Sequence, residues 1–404
     1  MSSTQETGTA AADAVMRART LLQLRRPEGA EREARGALAR DPGDGDAHAV
    51  LALALSALGR ADEAVAEANE AVRLVPDNWW PHYVAAFILW KADRDRAGLT
   101  AAWAALRIDP SRASIWDVIA RLHLSLQEWW LAVRAAQRGL ACDPENSDLA
   151  SLQSLALTEL ANAPGAAALA AEAVRLNPEE PLAHLAVGHA ALGAKDPRAA
   201  EQAFREALRL TPANDHARDR LVIALKQRDP VYRVLYRWLN NLGKRRLRLP
   251  LALWVPFHIV IAAGHWGLWT AGAAGTLRLA RDPYSRMLLP AGEIRAAWLS
   301  AGAVAAGVLT FVAGAVPGRS DLATAGVAMA ALVTPVHETC TVTDRRAQMI
   351  LGGWAVLLTL GIAGAVALSA VSPSPATPGV PLALLAVLTV WPARWIKRKA
   401  KQPR

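Results

Sequence analysis

The chain contains very little cysteine: only Cys142 and Cys340 among its 404 residues. Two isolated thiols exclude a disulfide-stapled scaffold and a paired-thiol redox centre. The sequence also lacks a phosphate-binding glycine loop, a dinucleotide-binding glycine fingerprint and a serine nucleophile elbow. We therefore expect no catalytic residue, no cofactor, no metal site and no enzyme activity.

Two further features are missing, each from one part of the chain. The first twenty residues contain no continuous apolar stretch, so no cleavable signal peptide is expected, and the small polar residues 1–10 predict a disordered N-terminus. Acidic residues are scarce after position 225: residues 1–225 carry 24 Lys/Arg and 30 Asp/Glu (net −6), whereas 226–404 carry 21 and 6 (net +15). Because these positive residues flank long uncharged apolar runs, we interpret them as contacts to anionic lipid rather than to nucleic acid.

Prolines, in contrast, recur at a fixed period through the first half. Neighbouring prolines are 34 residues apart, at Pro42, Pro76, Pro110, Pro144, Pro178 and Pro212. Proline cannot continue a helix, so each one marks the end of one unit and the start of the next. A period of 34 residues is typical of a helix–turn–helix unit that stacks into a solenoid. The six units are 11–44, 45–78, 79–112, 113–146, 147–180 and 181–214.

Small residues occupy two fixed positions of every unit. The twentieth residues are Ala30, Ala64, Gly98, Ala132, Ala166 and Ala200, and the twenty-seventh are Ala37, Ala71, Ala105, Gly139, Ala173 and Ala207. Small side chains at these positions allow close packing of helix on helix. With these residues the chain resembles the tetratricopeptide-repeat (TPR) family over roughly 11–228, including a final capping helix near 215–228. Unit six matches the family pattern best, through Val187, Gly188 and Phe204.

The first helix of unit three carries an aromatic stripe. Trp80, Tyr83, Phe87 and Trp90 are spaced 3, 4 and 3 residues apart, so they share one face of a helix. The resemblance implies that this face lines the inner groove of the solenoid, where aromatic rings can anchor apolar side chains of a peptide. Arg121 occupies the equivalent face in the next unit. The alternative is that the rings pack on a neighbouring unit or on the membrane half.

The second half contains long apolar segments. Residues 296–316 and 349–371 carry no charge and are long enough to span a bilayer, and 322–338 and 380–396 are shorter candidates. A segment near 251–275 contains Pro256, Gly264 and Gly267, and the placement of Lys and Arg favours its dipping into the membrane or lying flat. We thus predict four spans, with five as the alternative. Small residues four apart indicate helix packing within the chain, so no oligomer is assigned.

A basic connector is predicted at 229–248 between the two halves. Its apolar residues recur at helical spacing beside many cations, which is typical of an amphipathic helix at the level of the lipid headgroups. The residues expected at the membrane surface are Arg233, Arg237, Trp238, Lys244, Arg245, Arg246 and Arg248.

The sequence thus predicts an all-α protein: a TPR solenoid over 11–228, the connector, and a multi-pass transmembrane helix bundle over 249–404. The layout is similar to that of bacterial TPR membrane proteins, and the alanine- and arginine-rich composition fits a bacterium with high genomic GC content. We expect a plasma-membrane scaffold whose cytoplasmic solenoid binds a cytosolic protein or peptide. The alternative is a membrane transporter, channel or lipid-acting enzyme regulated by the solenoid.

Overall fold

The computed structural model describes residues 2–244, 251–314, 320–333, 336, 339–340 and 345–371, and every regular element within them is a helix. The chain divides into two compact units, Met1–Ala217 and Arg218–Arg404. The first contains α1 (Ser2–Gln23), α2 (Pro27–Leu38), α3 (Gly45–Ala57), α4 (Ala61–Leu74), α5 (Trp79–Lys91), α6 (Asp95–Ile108), α7 (Ala113–Ser125), α8 (Trp129–Cys142), α9 (Ser147–Glu159), α10 (Ala163–Leu176), α11 (Pro181–Gly193) and α12 (Pro197–Leu210). Helix α13 (Asp215–Lys226) crosses the division.

The first unit is a stack of six helix pairs. Each 34-residue repeat forms two antiparallel neighbours, and each periodic proline lies in the turn between one repeat and the next, as predicted. The predicted small residues at the twentieth and twenty-seventh positions are all buried. Where glycine replaces alanine there, a larger neighbour fills the space: a Cβ at Gly98 would lie 2.8 Å from Leu122 Cδ2.

A repeating contact joins the turn to the next helix. The fourth residue of three repeats is histidine, and its Nε2 lies 2.8–3.2 Å from the carbonyl oxygen of the proline six residues earlier. The pairs are His48–Pro42, His82–Pro76 and His184–Pro178. An N–H of the ring donates to a carbonyl that the helix cannot satisfy, because the chain turns there.

The fifteenth residue of every repeat has a left-handed backbone. The six positions are Arg25, Gly59, Asp93, Gln127, Ala161 and Lys195, with φ between 55° and 76°. Each ends the first helix of its repeat and lets the chain reverse into the second. Only one of them is glycine, so the other five adopt a conformation that is unfavourable for an L-residue.

The N-terminal segment differs from its prediction. Residues 1–10 are expected to be disordered, but α1 begins at Ser2 and continues into the packed residues Ala14 and Ala18. A helix that is already nucleated by packing extends at little cost, because each added residue gains a hydrogen bond.

The second unit contains α14 (Pro230–Lys244), α15 (Leu251–Leu279), α16 (Pro283–Leu288), α17 (Ala291–Gly314), α18 (Ser320–Ala331) and α19 (Arg345–Val371). Helix α15 corrects one prediction: it is continuous for 29 residues, and does not dip and return. Its glycines are packing sites rather than breaks. The Trp238 ring lies against Gly264, and a Cβ at Gly267 would lie 3.4 Å from Leu235 Cδ1, so the glycines let α14 approach.

Helices α17 and α18 form the tightest contact of this unit. A Cβ at Gly307 would lie 2.6 Å from the carbonyl oxygen of Gly326 and 2.7 Å from the backbone N of Ala330. The two backbones therefore touch directly, and the predicted small-residue pairs at 303/307 and 326/330 face each other within one chain. Such close approach is possible only where both helices carry glycine or alanine.

By length and composition, one helix in the described residues could cross a membrane, Ala291–Gly314. Shorter apolar helices cover Leu322–Ala331 and Gln348–Gly364, which overlap the predicted spans 322–338 and 349–371. The predicted span 380–396 lies outside the described residues. The predicted bundle of four or five spans therefore stays a prediction.

Candidate functional site

The first helices of the repeats form one layer of the N-terminal unit. Helices α1, α3, α5, α7, α9 and α11 each contact the next in this series, whereas no pair of consecutive second helices makes a comparable contact. In a stack of helix pairs, the more closely spaced layer is the inner one, because curvature brings its helices together. The aromatic stripe is on α5, in the middle of this inner layer.

The structure brings the four predicted aromatic rings into two adjacent pairs. Trp80 and Tyr83 stack with centroids 5.6 Å apart and planes at 26°, and Phe87 and Trp90 lie 5.7 Å apart. All four rings are half-buried, and they pack on the hydrophobic core of the solenoid while keeping part of their surface exposed. The predicted packing of the rings on neighbouring repeats is therefore present, and their role in binding a peptide stays a prediction.

A fifth ring and four cations surround the stripe. Trp79, which lies outside the helical spacing that predicts the stripe, is 5.8 Å from Trp80 and 6.0 Å from Tyr83. The cations lie over ring faces: Arg19 over Trp80 (5.2 Å), Arg112 over Trp79 (4.8 Å), and both Lys91 (4.8 Å) and Arg121 (5.4 Å) over Trp90. Each such contact is worth about 0.5–1 kcal/mol at an exposed site.

Of these four cations the sequence predicts only Arg121. Arg19 could have been found, because it is the ninth residue of its repeat, the position held by Phe87 and Arg121 two and three repeats later. Lys91 and Arg112 lie at a helix end and in a turn. Their contacts depend on side-chain reach rather than on a repeat position, so the period does not reveal them.

Arg121 is held in a partly buried ion-pair network. Its Nε donates to Asp117 Oδ2 (2.7 Å) and its Nη2 to Asp148 Oδ2 (2.7 Å). Burial acts to lower the pKa of Arg121, but the carboxylates of Asp117 and Asp148 more than offset it, so the pKa lies above its ordinary value. Burial raises the pKa of Asp148, against the opposing effect of Arg121. The network therefore fixes a guanidinium beside Trp90.

The other end of the stripe contains two unsatisfied donors. Arg19 Nη2 donates to Asp46 Oδ2 (3.0 Å), but Arg19 Nε and Trp80 Nε1 are buried without a hydrogen-bond acceptor among the described residues. At the opposite end, Trp90 Nε1 donates to Ser125 Oγ (3.2 Å). A buried N–H without an acceptor costs about 1–3 kcal/mol, so these two donors destabilise the Arg19 end of the stripe.

The predicted membrane-surface residues fall into three groups. Arg233 is used internally: its Nε donates to the carbonyl oxygen of Gln227 (2.7 Å) and its Nη2 to that of Arg228 (3.2 Å). Arg237 is half-exposed on α14 and Trp238 is exposed, while Lys244 is the last residue of that helix. The other three, Arg245, Arg246 and Arg248, lie outside the described residues.

Comparison with known proteins agrees with this repeat geometry. Residues 15–78 and 152–215 match the family model described as tetratricopeptide repeat. No curated protein matches the sequence.

Three solved structures illustrate the likeness. The chain is similar to pilF of Pseudomonas aeruginosa, at 18% identity over 53% of this chain and 97% of that one, with a TM-score of 0.44. It is also similar to PilW, described as a type IV pilus biogenesis factor, at 16% identity over 52% and 96%, with a TM-score of 0.45. A third similar structure is the Cut9–Hcn1 hetero-tetramer of APC/C. The identity is 17% over 53% of this chain and 42% of that one, with a TM-score of 0.47. The two segments that match the family model are similar to tetratricopeptide repeats, and the six stacked helix pairs of the N-terminal unit repeat the same helix–turn–helix arrangement.

Proposed function

We propose that the protein is a membrane-anchored scaffold. Its solenoid binds an extended segment of a cytosolic protein in the groove, and its C-terminal unit holds the chain in the plasma membrane of a bacterium, in several passes. Tetratricopeptide repeats bind protein or peptide partners in general, and the observation that carries the proposal here is the half-exposed aromatic stripe of α5, with a fixed guanidinium at each end. No catalytic role is proposed.

The stripe determines what the partner should offer. The exposed ring edges favour an aromatic or long aliphatic side chain, which would be buried against Trp80 and Trp90. The guanidinium groups of Arg19 and Arg121 favour a carboxylate or carbonyl oxygen next to that side chain. A segment with an apolar anchor beside a carboxylate or a free carbonyl satisfies both.

The membrane half of the proposal is supported by the surface of the second unit. Large apolar side chains are exposed along α17 and α19, including Trp298, Leu309, Leu357 and Leu360. A water-soluble surface rarely carries an apolar patch this extensive, whereas a lipid-facing surface requires one. Together with the length of Ala291–Gly314, this favours hydrocarbon around α17 and α19.

The orientation in the membrane and the lipid contacts follow from the positive charges. Residues 226–248 and the tail after 393 are rich in Lys and Arg, which favours a cytoplasmic location for both ends and for the solenoid. Arg237, Lys244 and the basic residues after it are proposed to contact anionic headgroups.

The groove is tested by selecting peptides from a random displayed library on the full-length protein in detergent. Selected peptides should share an aromatic or long aliphatic residue. Trp80→Ala and Trp90→Ala should each weaken binding of a selected peptide about tenfold or more, because the groove loses its central anchor. Trp130→Ala is the control, since Trp130 is 63% exposed on a second helix. Equal losses from all three variants, or none from the first two, would contradict the proposal.

One observation favours the alternative in which the C-terminal unit itself acts on a ligand. That unit contains a partly polar cavity among α13, α14, α15 and α17.

A further inference from the structure

The cavity in the C-terminal unit has a volume of about 410 Å³. Pockets of about 300–1,000 Å³ are typical of small-molecule sites. Three charged and three aromatic side chains lie in its wall: Asp219, Lys226, Glu293, Tyr232, Tyr236 and Trp269. Most residues around them are apolar, which resembles a ligand pocket in which a few polar groups fix orientation.

One end of the cavity is marked by a buried ion pair. The ammonium group of Lys226 contacts Glu293 Oε1, and Lys226 is only 9% exposed. The buried hydroxyl of Thr276 lies 3.4 Å from the same carboxylate oxygen. An ammonium group has three N–H donors, and Glu293 is the only carboxylate that pairs with it among the described residues. Lys226 can therefore also donate to an anionic group in the cavity.

The charge at the other end is negative. Asp219 lies seven residues before Lys226 on α13, which is two turns, or about 10 Å, along the helix axis. Val222 and Ile223 line the wall between them. Asp219 has no salt-bridge partner within the part of the chain that the structure covers. The cavity thus has a free carboxylate and a buried ammonium group separated by apolar surface.

Aromatic rings add to the affinity for a cation. Tyr232 and Tyr236 stack with centroids 5.9 Å apart and planes at 21°, and Trp269 lies on the facing helix α15. Ring faces attract ammonium groups, most strongly where they replace water around the cation. Summed over the three charged residues, the cavity carries one net negative charge, so an anion alone would be disfavoured.

We propose that this cavity binds a small zwitterion, whose ammonium group lies near Asp219 and the aromatic rings and whose acidic group accepts from Lys226. The ligand is either a free zwitterion or the zwitterionic headgroup of a lipid, since both present the same pair of charges. The site is independent of the peptide groove.

The test measures binding of phosphocholine by calorimetry to the full-length protein in a non-ionic detergent. Phosphocholine should bind about tenfold or more tightly than tetramethylammonium or inorganic phosphate, because each of these probes lacks one of the two charges. Failure of phosphocholine to bind, or equal affinity for either single-charge probe, overturns the proposal.

Matched variants locate the site. Ala273→Leu fills the cavity from its wall and should abolish binding, whereas Ala274→Leu, at the exposed neighbouring position, should not. Lys226→Met should weaken binding about tenfold or more, and the exposed Lys195→Met should leave it unchanged. If Lys226→Met does not fold, Tyr236→Leu, at a half-buried position, provides the same test. Equal affinity in the Ala273→Leu and Ala274→Leu proteins overturns the proposal.

Two further arms assign the ligand source and separate the two proposals. Phosphatidylcholine nanodiscs that compete with phosphocholine, where phosphatidylglycerol nanodiscs do not, indicate a lipid headgroup; phosphocholine binding without such competition indicates a free zwitterion. The double variant Trp80→Ala/Trp90→Ala should bind phosphocholine like the wild type, so failure of the groove proposal does not affect this one.

Discussion

Both units contain alanine-rich helices, but they expose opposite surfaces. In the solenoid, the inner positions are alanine and leucine, and the exposed faces carry ion pairs such as Arg175–Glu172 and Arg209–Glu206. In the C-terminal unit, α17 and α18 bury glycine and alanine against each other, while leucine, valine and tryptophan face outward. Burial of large apolar side chains lowers the free energy of a protein in water, but it gives no such gain in lipid. On the proposal that lipid surrounds α17 and α19, the solvent rather than helix propensity decides which residues face inward.

The largest expected effect is a direct test of that difference. Leu309→Arg, at a position 72% exposed on α17, should reduce insertion of the helix into a membrane by about 3 kcal/mol, because a guanidinium would face hydrocarbon. Glycosylation mapping gives the fraction of the helix that is inserted, from which this change in insertion free energy is obtained. Leu131→Arg makes the same change at an exposed leucine of α8 and should alter stability by no more than about 0.5 kcal/mol. Equal tolerance at both positions would mean that water covers both units.

A smaller effect is expected where backbones touch. Gly307→Ala should lower the stability of the C-terminal unit by about 2 kcal/mol, because the added Cβ would lie 2.6 Å from a carbonyl oxygen of α18. Gly302→Ala, on the same helix, is the control, since nothing lies within 4 Å of a Cβ there. It should instead stabilise the helix by about 0.5–1 kcal/mol. Thermal unfolding in detergent compares the two, and a shift in the same direction for both would argue against close packing of α17 and α18.

Glycine has a different role in the solenoid, and a reciprocal pair of variants tests it. Gly59 (φ 76°) and Ala161 (φ 60°) occupy the same left-handed position of their repeats. Gly59→Ala should cost about 1 kcal/mol, and Ala161→Gly should gain about as much, since only glycine adopts this conformation without strain. Urea unfolding followed by tryptophan fluorescence measures both. If Ala161→Gly is destabilising, flexibility gained by the unfolded chain outweighs the relief of strain.

The repeat length and the stripe could be predicted because they depend on period alone. Prolines 34 residues apart fix where the repeats turn, and small residues at the twentieth and twenty-seventh positions fix where the helices touch. The spacing of Trp80, Tyr83, Phe87 and Trp90 places their rings on one face of α5 without knowledge of any other helix. Features that depend only on spacing along the chain can therefore be predicted from the sequence.

The features that were not predicted depend on a second element or on a turn. Gly264 and Gly267 suggest a broken helix when α15 is considered alone, but they are sites where α14 packs. The left-handed backbone at the fifteenth position of each repeat could not be predicted, because five of the six residues there are not glycine, for example Arg25 and Gln127. Lys91 and Arg112 contact Trp90 and Trp79 from a helix end and a turn, where no repeat position predicts them.

The smallest expected effect is the pH dependence of stability that arises from one carboxyl in the groove and one on the outer face of the solenoid. Burial raises the pKa of Asp148 in the groove, whereas a hydrogen bond from Arg175 lowers the pKa of Glu172 on the exposed face. A carboxyl with a raised pKa binds its proton more tightly in the folded state, so its contribution to stability is present below its unfolded pKa and is lost as pH rises through the folded value. A lowered pKa has the opposite sign: the contribution is present above the unfolded pKa and is lost as pH falls.

The two signs can be separated by comparing each carboxyl with its amide. Relative to Asp148→Asn, the wild type should lose stability as pH rises from about 3.5 to 6.5, and relative to Glu172→Gln it should gain stability over the same range. Both slopes should be small, since Asp148 is partly exposed and Glu172 lies at the surface, where water screens its pairing. Urea midpoints across this range measure them. If the stability of the wild type relative to Asp148→Asn rises with pH, attraction to Arg121 exceeds the cost of burying the Asp148 carboxylate. The pKa of Asp148 would then be lowered, like that of Glu172 on the outer face.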